Sequence, residues 1–197
     1  RHHRHDRRRS YSGSRMSADE YLALPDDGFQ YELVDGVVVM SPSPAPSHQL
    51  VAKAILRQLD DYVEQRGLGL VLYETDVRLS APGDARQLVY RPEIIFFIRE
   101  RIGLIRNRID AAPDVVVEVI SPESRELDAR IKRDDYERAG VREYWLIDPA
   151  EDQMTFLQCK DGRFVEAKTG PDRFESQVVF GFCLDLQKVR AAFRALS

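Results

Sequence analysis

Two short runs of the sequence are apolar at positions of both parities, and they constrain the fold of the whole chain. The runs are "RPEIIFFI" (residues 91–98) and "PDVVVEVI" (residues 113–120). Successive side chains of a β-strand point to opposite faces of its sheet, so strands of this kind must be covered on both faces. We therefore predict that both runs are central strands of a sheet with packed layers on either side.

Helix and strand signals alternate before these two runs. "SADEYLAL" begins with Ser17 and Glu20 in the spacing of a capping box, which predicts a short helix. Asp35-Gly36 in "YELVDGVVVM" predicts a hairpin turn between two strands. Ser47 is the predicted cap of a long amphipathic helix that ends at Gly67, and the pattern after that glycine, "LGLVLYETDVRLS", is strand-like.

The same alternation continues after the second run. "SPESRELDARIKRDDYERAG" predicts a charged helix that ends at Gly140, and "VREYWLID" predicts another strand. A hairpin about Asp161-Gly162 and a closing helix in "LDLQKVRAAF" follow. The fold class that we expect is α/β: a single domain with a mixed central β-sheet flanked by helices.

Length and composition limit the class of protein. A chain of 197 residues with 43% hydrophobic content is long enough for one filled core and short for two. No run approaches the roughly 18 consecutive apolar residues of a membrane span, so we expect no membrane association. Cys159 and Cys183 lack the paired spacing of a zinc site. We expect a cytoplasmic protein with reduced cysteines.

Charge is distributed unevenly along the chain. Residues 1–15 hold six Arg and one Asp, which leaves 23 basic and 32 acidic residues in the remainder. This segment has no apolar periodicity, so we expect residues 1–15 to be a disordered basic tail and residues 16–197 to be the folded domain. The tail is interpreted as an expression leader or an extension upstream of Met16, with a basic arm for nucleic acid as the alternative.

Each apolar run contains one carboxylate, and the pair suggests a site. Glu118 lies in the middle of the second run and Glu93 near the start of the first. If the two strands are neighbours, the two acids repel each other unless positive charge lies between them. A divalent cation such as Mg²⁺ or Mn²⁺ meets this need with carboxylate ligands. The alternative is structural: Glu118 is paired with an Arg of a neighbouring helix, and Glu93 is hydrated.

The helix after Glu118 offers an ammonium group. Asp128, Lys132 and Tyr136 are spaced i, i+4 and i+8, so they form one stripe along a helix surface. If the strand leads directly into this helix, Lys132 can return toward the two carboxylates. The alternative is a solvated lysine on a charged helix face.

Four ordered blocks of the sequence resemble a known family. They are "YELVDGVVVMSPSPAPSHQ", "RPEIIFF", "APDVVVEVISPES" and "DARIKRDDYERAGVREYWLIDP". Together they resemble the Uma-two restriction endonuclease family, a branch of the PD-(D/E)XK nuclease superfamily. The resemblance extends over roughly residues 17 to 185, and its most specific part runs from Ala112 to Pro149. It implies a restriction-endonuclease-like fold.

The resemblance implies a metal-dependent nuclease with defined residues. Pro92-Glu93 corresponds to the family's first acid and Glu118 to its second, and both are expected to bind Mg²⁺ or Mn²⁺. The superfamily lysine usually lies two residues after the second acid, where this chain has Ile120. We expect Lys132 of the following helix to take its place, because the four-carbon stem of lysine is flexible.

Two further residues recur in the resembling blocks. Glu32 is expected to add a carboxylate or to orient a metal-bound water, and His48 stands near a helix start. Their alternatives are a surface acid and a residue making local hydrogen bonds. The expected activity is phosphodiester hydrolysis in DNA, and the expected assembly is a homodimer. The competing hypothesis is a nuclease-fold module without turnover that binds nucleic acid or assembles with proteins, which the acidic body and Ile120 favour.

Overall fold

The computed structural model describes residues 10–79 and 84–196. The α-helices are α1 (Ala18–Leu22), α2 (Pro46–Arg66), α3 (Lys132–Ala139) and α4 (Leu186–Arg194). The strands are β1 (Tyr31–Val34), β2 (Val37–Met40), β3 (Gly69–Tyr73), β4 (Val77–Leu79), β5 (Leu88–Tyr90), β6 (Ile94–Ile98), β7 (Val115–Val119), β8 (Glu143–Asp148), β9 (Gln153–Lys160), β10 (Arg163–Glu166), β11 (Arg173–Glu175) and β12 (Cys183–Asp185). None of the helices in these ranges combines the length and apolar composition needed to cross a bilayer.

The two apolar runs form β6 and β7 in the middle of a six-stranded sheet. The strand order is β10-β9-β8-β7-β6-β3. β6 and β7 pair antiparallel with Ile94 opposite Val117, whereas β7 and β8 run parallel. The remaining neighbours in this sheet are antiparallel. The predicted mixed central sheet is therefore confirmed.

Both faces of β7 are covered, as its composition requires. Val115, Val117 and Val119 pack in one core against α2 and α4. Val116 and Ile120 face the other way and pack in a second core that includes side chains of α3, β4 and β5. Glu118 lies between Val116 and Ile120 at the same strand parity, so its side chain points to this second core. The strand therefore carries its single charge into a buried layer between the large sheet and a smaller one.

The smaller sheet is antiparallel and has the order β2-β1-β5-β4. The predicted β1–β2 hairpin is present, and Asp35 and Gly36 both have positive φ, as its two-residue turn requires. The strand-like pattern after Gly67 is not one strand: β3 joins the large sheet and β4 the small one. Glu74, with a φ of 47°, lies between them.

The connection from β7 to β8 is helical but irregular. It passes through a 3₁₀ turn (Pro122–Ser124) and a π-helical segment (Leu127–Ile131) before α3 begins at Lys132. Gly140 ends α3 in the left-handed conformation. One uniform helix was predicted here. Single π-helical turns often occur at functional sites, where they redirect side chains.

The long helix α2 agrees with its predicted end but not with its predicted cap. Gly67 ends it with a φ of 59°. Ser47 does not cap it: Ala45 precedes the helix, and Pro46 occupies the first turn, where the missing proline N–H is not needed. His48 consequently lies within the first turn of α2.

Residues 10–15 lie against the small sheet. The amide of Gly13 donates to the carbonyl of Val38 at 2.8 Å, and the amide of Val38 donates to the carbonyl of Ser14 at 2.9 Å. The ring of Tyr11 meets that of Tyr31 edge to face at 6.1 Å. The expected disorder of the tail is therefore wrong for residues 10–15. Residues 1–9 lie outside the described part of the chain.

Candidate active site

A buried ammonium group with three carboxylates around it lies between the two sheets. The Nζ atom of Lys132 is 2.8 Å from Oε1 of Glu32, 3.4 Å from Oε1 of Glu118 and 3.2 Å from Oδ1 of Asp128. No side chain of these four is more than 7% exposed. We call these four residues the lysine cluster.

Four different elements build the lysine cluster, and the first residue of α3 supplies Lys132 itself. β7 fixes Glu118, β1 of the small sheet brings in Glu32 from 100 positions before Lys132, and the π-helical turn supplies Asp128. The backbone amide of Arg91 donates to Oε1 of Glu32 at 2.7 Å, which holds that carboxylate toward Lys132. The cluster therefore exists only when the small sheet is docked on the large one.

Burial and repulsion from neighbouring carboxylates raise the pKa values of Glu118 and Glu32. Burial is the main cause that raises the pKa of Glu118, and the nearby Asp128, Glu32 and Glu93 raise it further against the effect of Lys132. Burial also raises the pKa of Glu32, again opposed by Lys132. The cluster therefore favours the arrival of additional positive charge, whether a proton or a cation.

Lys132 itself stays charged. Burial alone lowers the pKa of a lysine, but the carboxylates of Glu118, Glu32 and Asp128 outweigh it and raise the pKa of Lys132 well above its ordinary value. A buried lysine that keeps its proton is a fixed positive charge beside Glu118.

A second layer of polar side chains supports the lysine cluster. The hydroxyl of Tyr136 donates to Oε1 of Glu118 at 3.4 Å, and that of Tyr90 donates to Oδ2 of Asp135 at 2.5 Å. Nη1 of Arg86 lies 2.6 Å from Oδ1 of Asp135. Lys132 Nζ is 5.2 Å from the centre of the Tyr90 ring. Sequence reasoning missed Tyr90, Asp135 and Arg86, because no local spacing links them.

Glu93 and His48 form a second, more accessible pair. Nε2 of His48 lies 2.6 Å from Oε1 of Glu93, and their side chains are 15% and 21% exposed. β6 and β7 pair antiparallel with Ile94 opposite Val117. Extending this register by one residue places Glu93, which precedes β6, opposite Glu118. The charge of Glu93 is also among the causes that raise the pKa of Glu118. The pair thus adjoins the lysine cluster on its more exposed side.

All five predicted site residues therefore fall in one region, in two groups. Glu32, Glu118 and Lys132 are in direct contact, and His48 contacts Glu93. Asp128 was noticed in sequence as part of the Lys132 stripe but not as a site residue. The i, i+4 spacing that forms its ion pair with Lys132 was the available signal.

The donor set allows a cation with few protein ligands. Among the residues that the structure describes, no group of three or more His, Cys, Asp or Glu side chains is arranged to hold a metal ion. The three carboxylates of the lysine cluster surround an ammonium instead. Glu118 on β7 and Glu93, directly before β6, are hard oxygen donors at adjoining positions. This pair fits Mg²⁺, because this ion is often bound through one or two carboxylates, water and phosphate oxygens.

The fold is a single α/β domain with a mixed central sheet, and comparison with known proteins shows its family. The chain belongs to the Uma2 family, described as "Putative restriction endonuclease", whose family model matches residues 18–187. The family expected from the four sequence blocks is therefore confirmed.

A solved structure gives an independent view of the fold. It is described as a "putative nuclease" from Anabaena variabilis, is 20% identical in sequence and superposes with a TM-score of 0.76. The match covers 90% of this chain and 99% of that one. At this identity the likeness establishes the fold. No curated protein matches the chain.

Proposed function

We propose that this chain is a metal-dependent endonuclease that hydrolyses phosphodiester bonds in DNA. One observation carries the proposal: the Nζ atom of Lys132 lies 3.4 Å from Oε1 of Glu118, and Glu118 lies next to the position of the partly exposed Glu93, which directly precedes β6. Membership of a family described as "Putative restriction endonuclease" supports the reaction class.

Each residue of the site has a role in this proposal. Glu93 and Glu118 would hold a Mg²⁺ or Mn²⁺ ion, and that ion would supply Lewis-acid activation of a phosphoryl oxygen and of a water molecule. Lys132 stabilises the negative charge that develops on the reacting phosphate. Glu32 and Asp128 fix the Lys132 ammonium at 2.8 and 3.2 Å.

His48 is a positioning residue in this proposal. Its contact with Oε1 of Glu93 orients the more exposed of the two acids. A rotating Glu93 would lose the entropy of its side chain on binding an ion, and preorganisation by His48 reduces that cost. The first turn of α2 holds the imidazole in place.

Plasmid cleavage tests the proposal. Supercoiled plasmid is incubated with wild-type protein in Mg²⁺, Mn²⁺ or excess chelator, beside Glu118→Gln and the matched control Glu166→Gln on the exposed surface of β10. We expect metal-dependent nicking by wild type and Glu166→Gln and none by Glu118→Gln. Nicking that persists in chelator or in Glu118→Gln would contradict the assigned roles.

A nuclease-fold module without turnover is the second candidate, and one observation favours it. The ammonium of Lys132 is already bound by three carboxylates, and Ile120 occupies the superfamily's usual lysine position. Mn²⁺ titration followed by thermal unfolding separates the two candidates, because an ion that binds only the folded state raises its melting temperature. An upward shift that is lost in Glu93→Gln favours the enzyme. No shift together with no nicking favours the module.

A further inference from the structure

A basic cleft lies next to the candidate active site. It has a volume of about 490 Å³ and opens between the β3–β4 connection and residues 105–109. Four arginines, Arg78, Arg91, Arg106 and Arg108, line it against two acids, Glu74 and Asp76. The cleft therefore has more basic than acidic residues, whereas the whole chain has 29 basic and 33 acidic residues.

The arginines of the cleft differ in how far they are already neutralised. Arg78 pairs with Asp19 at 2.5 Å. Arg106 and Arg108 are exposed, and neither forms an ion pair with another residue in the described ranges. Arg91 lies near Asp76, whose pKa is raised by burial and lowered again in part by that guanidinium. The cleft therefore retains uncompensated positive charge.

The segment that carries Arg106 and Arg108 is anchored on both sides. The amide of Ile105 donates to the carbonyl of Ile102, and the amide of Arg78 donates to the carbonyl of Ile109 at 2.9 Å. Ile109 is only 4% exposed and packs in the same core as Val116 of β7. The two guanidinium groups thus project from a fixed backbone, which reduces the entropy lost when they bind a ligand.

Arg101, which lies in the same stretch, has a different role. Arg101 pairs with the buried Asp114 at 3.0 Å, and its guanidinium lies 5.4 Å from the centre of the Phe97 ring. That contact holds the 3₁₀ turn Arg99–Leu104 on the end of β6. The sequence "RERIGLIRNR" therefore contains one arginine with a structural role and two that face the cleft.

Two hydrogen bonds donated by backbone amides of the cleft join it to the proposed site residues. The amide of Glu74 donates to the carbonyl of Glu93 at 3.1 Å, and the amide of Arg91 donates to the side chain of Glu32 at 2.7 Å. Residues that line the cleft thus contact Glu32 of the lysine cluster and Glu93 of the Glu93–His48 pair. The cleft therefore adjoins the backbone that carries Glu93 and the carboxylate of Glu32.

We infer that the cleft binds backbone phosphates of a nucleic acid adjacent to the bond that is cut, with Arg91, Arg106 and Arg108 as the phosphate ligands. This inference rests on the proposed nuclease function and adds a substrate-binding subsite to it. Guanidinium groups match phosphate with two parallel N–H donors, and such contacts fix the position of the strand without reading its sequence.

Equilibrium binding tests the subsite without requiring cleavage. A fluorescein-labelled DNA duplex of about 20 base pairs is titrated in chelator, and its anisotropy is followed from about 50 to about 200 mM salt. The proteins compared are wild type, Arg106→Gln/Arg108→Gln and a control with the same charge change, Arg163→Gln/Arg173→Gln. Both control positions are exposed, and Arg163 lies on β10, at the opposite edge of the large sheet from β3.

The expected result is weaker binding by the cleft variant alone. Each phosphate contact contributes about 0.9 to the slope of log affinity against log salt, so losing two should reduce the slope by about 2. Glu74→Gln removes an exposed negative charge from the cleft and should strengthen binding.

The possible outcomes distinguish a failure of the subsite proposal from a failure of the nuclease proposal. Unchanged affinity and slope in the cleft variant, with wild-type plasmid cleavage intact, would overturn the subsite and leave the nuclease. Equal losses in the cleft variant and the control would overturn it as well, since the effect would then be one of net charge. Wild-type protein that neither binds nor cuts DNA would overturn both proposals.

Discussion

Two buried glutamates on neighbouring strands solve the same electrostatic problem in different ways. Glu143 on β8 has no exposed surface, and its carboxylate accepts hydrogen bonds from Trp145 Nε1, Gln158 Nε2, Ser176 Oγ and the amide of Gln177 at 2.7 to 3.1 Å. Glu118 on β7 accepts two long bonds, both at 3.4 Å, from Lys132 and Tyr136.

The difference separates a structural acid from a functional one. Four neutral donors saturate Glu143 and tie the segment between β11 and β12 to the large sheet. Glu118 is incompletely satisfied, shares one ammonium with Glu32 and Asp128, and faces Glu93. A carboxylate with a full set of donors has nothing to gain from a ligand, whereas one among competing carboxylates does.

The largest loss of stability is expected when the central charge of the lysine cluster is removed. Lys132→Met leaves three buried carboxylates without their ammonium, which should lower the free energy of unfolding by about 3–5 kcal/mol. Urea denaturation measures this loss. A change below about 1 kcal/mol would mean that the cluster is hydrated in solution.

This loss should also depend on pH. Lys132 lowers the pKa of both Glu118 and Glu32, so without it both values rise further above those of the unfolded chain. A raised pKa gives stability that is present below the unfolded value and lost as pH rises through the folded value. The deficit of Lys132→Met relative to wild type should therefore be larger at about pH 8 than at about pH 5.

The same isosteric change at the two glutamates tests the comparison directly. Glu143→Gln replaces one acceptor oxygen by an NH₂ group that faces two donors, which should cost about 2–3 kcal/mol of stability. The matched control is Glu166→Gln on the surface, which should stay within about 0.5 kcal/mol of wild type. Plasmid nicking per folded molecule should not change in Glu143→Gln.

Glu118→Gln should have a smaller effect on stability and a complete effect on nicking. The amide oxygen of the new side chain can accept from both Lys132 and Tyr136, so we expect the free energy of unfolding to change by less than about 1 kcal/mol.

The pKa of Glu118 is raised, so wild type loses stability as pH rises through that value. Glutamine does not ionise, so the stability of the variant relative to wild type should increase as pH rises through the pKa of Glu118. A destabilisation equal to that of Glu143→Gln would remove the distinction between the two acids.

The last prediction concerns the segment before residue 16, whose removal should have a small effect on stability and none on nicking. Deleting residues 1–15 removes the bonds of Gly13 and Ser14 to β2, whereas deleting residues 1–9 leaves them. We expect the longer deletion to lower the stability by about 1 kcal/mol relative to the shorter one. Equal melting temperatures would show that the contacts of residues 10–15 contribute nothing measurable.

Prediction from sequence succeeded where the signal is local or periodic. The double-sided apolar pattern of β6 and β7, the Asp35-Gly36 hairpin and the stop of α2 at Gly67 each depend on neighbouring residues alone. It failed where a tertiary contact decides the outcome: the cap of α2, the division of the pattern after Gly67 between two sheets, and the order of residues 10–15. Local propensity carries no information about which sheet a strand joins.

The sequence by itself determined the fold class, because apolar periodicity and strand parity depend on neighbouring residues alone. Its resemblance to a known family gave the family and, together with the positions of Glu93, Glu118 and Lys132 on their own elements, the five candidate site residues. Only the tertiary structure decided that Glu32 reaches Lys132 from the small sheet, that Asp128 belongs with them and that Tyr90 and Asp135 stand behind them. These contacts join residues up to 100 positions apart. They form when burial of the apolar faces brings two sheets together, and no local pattern encodes the distance between them.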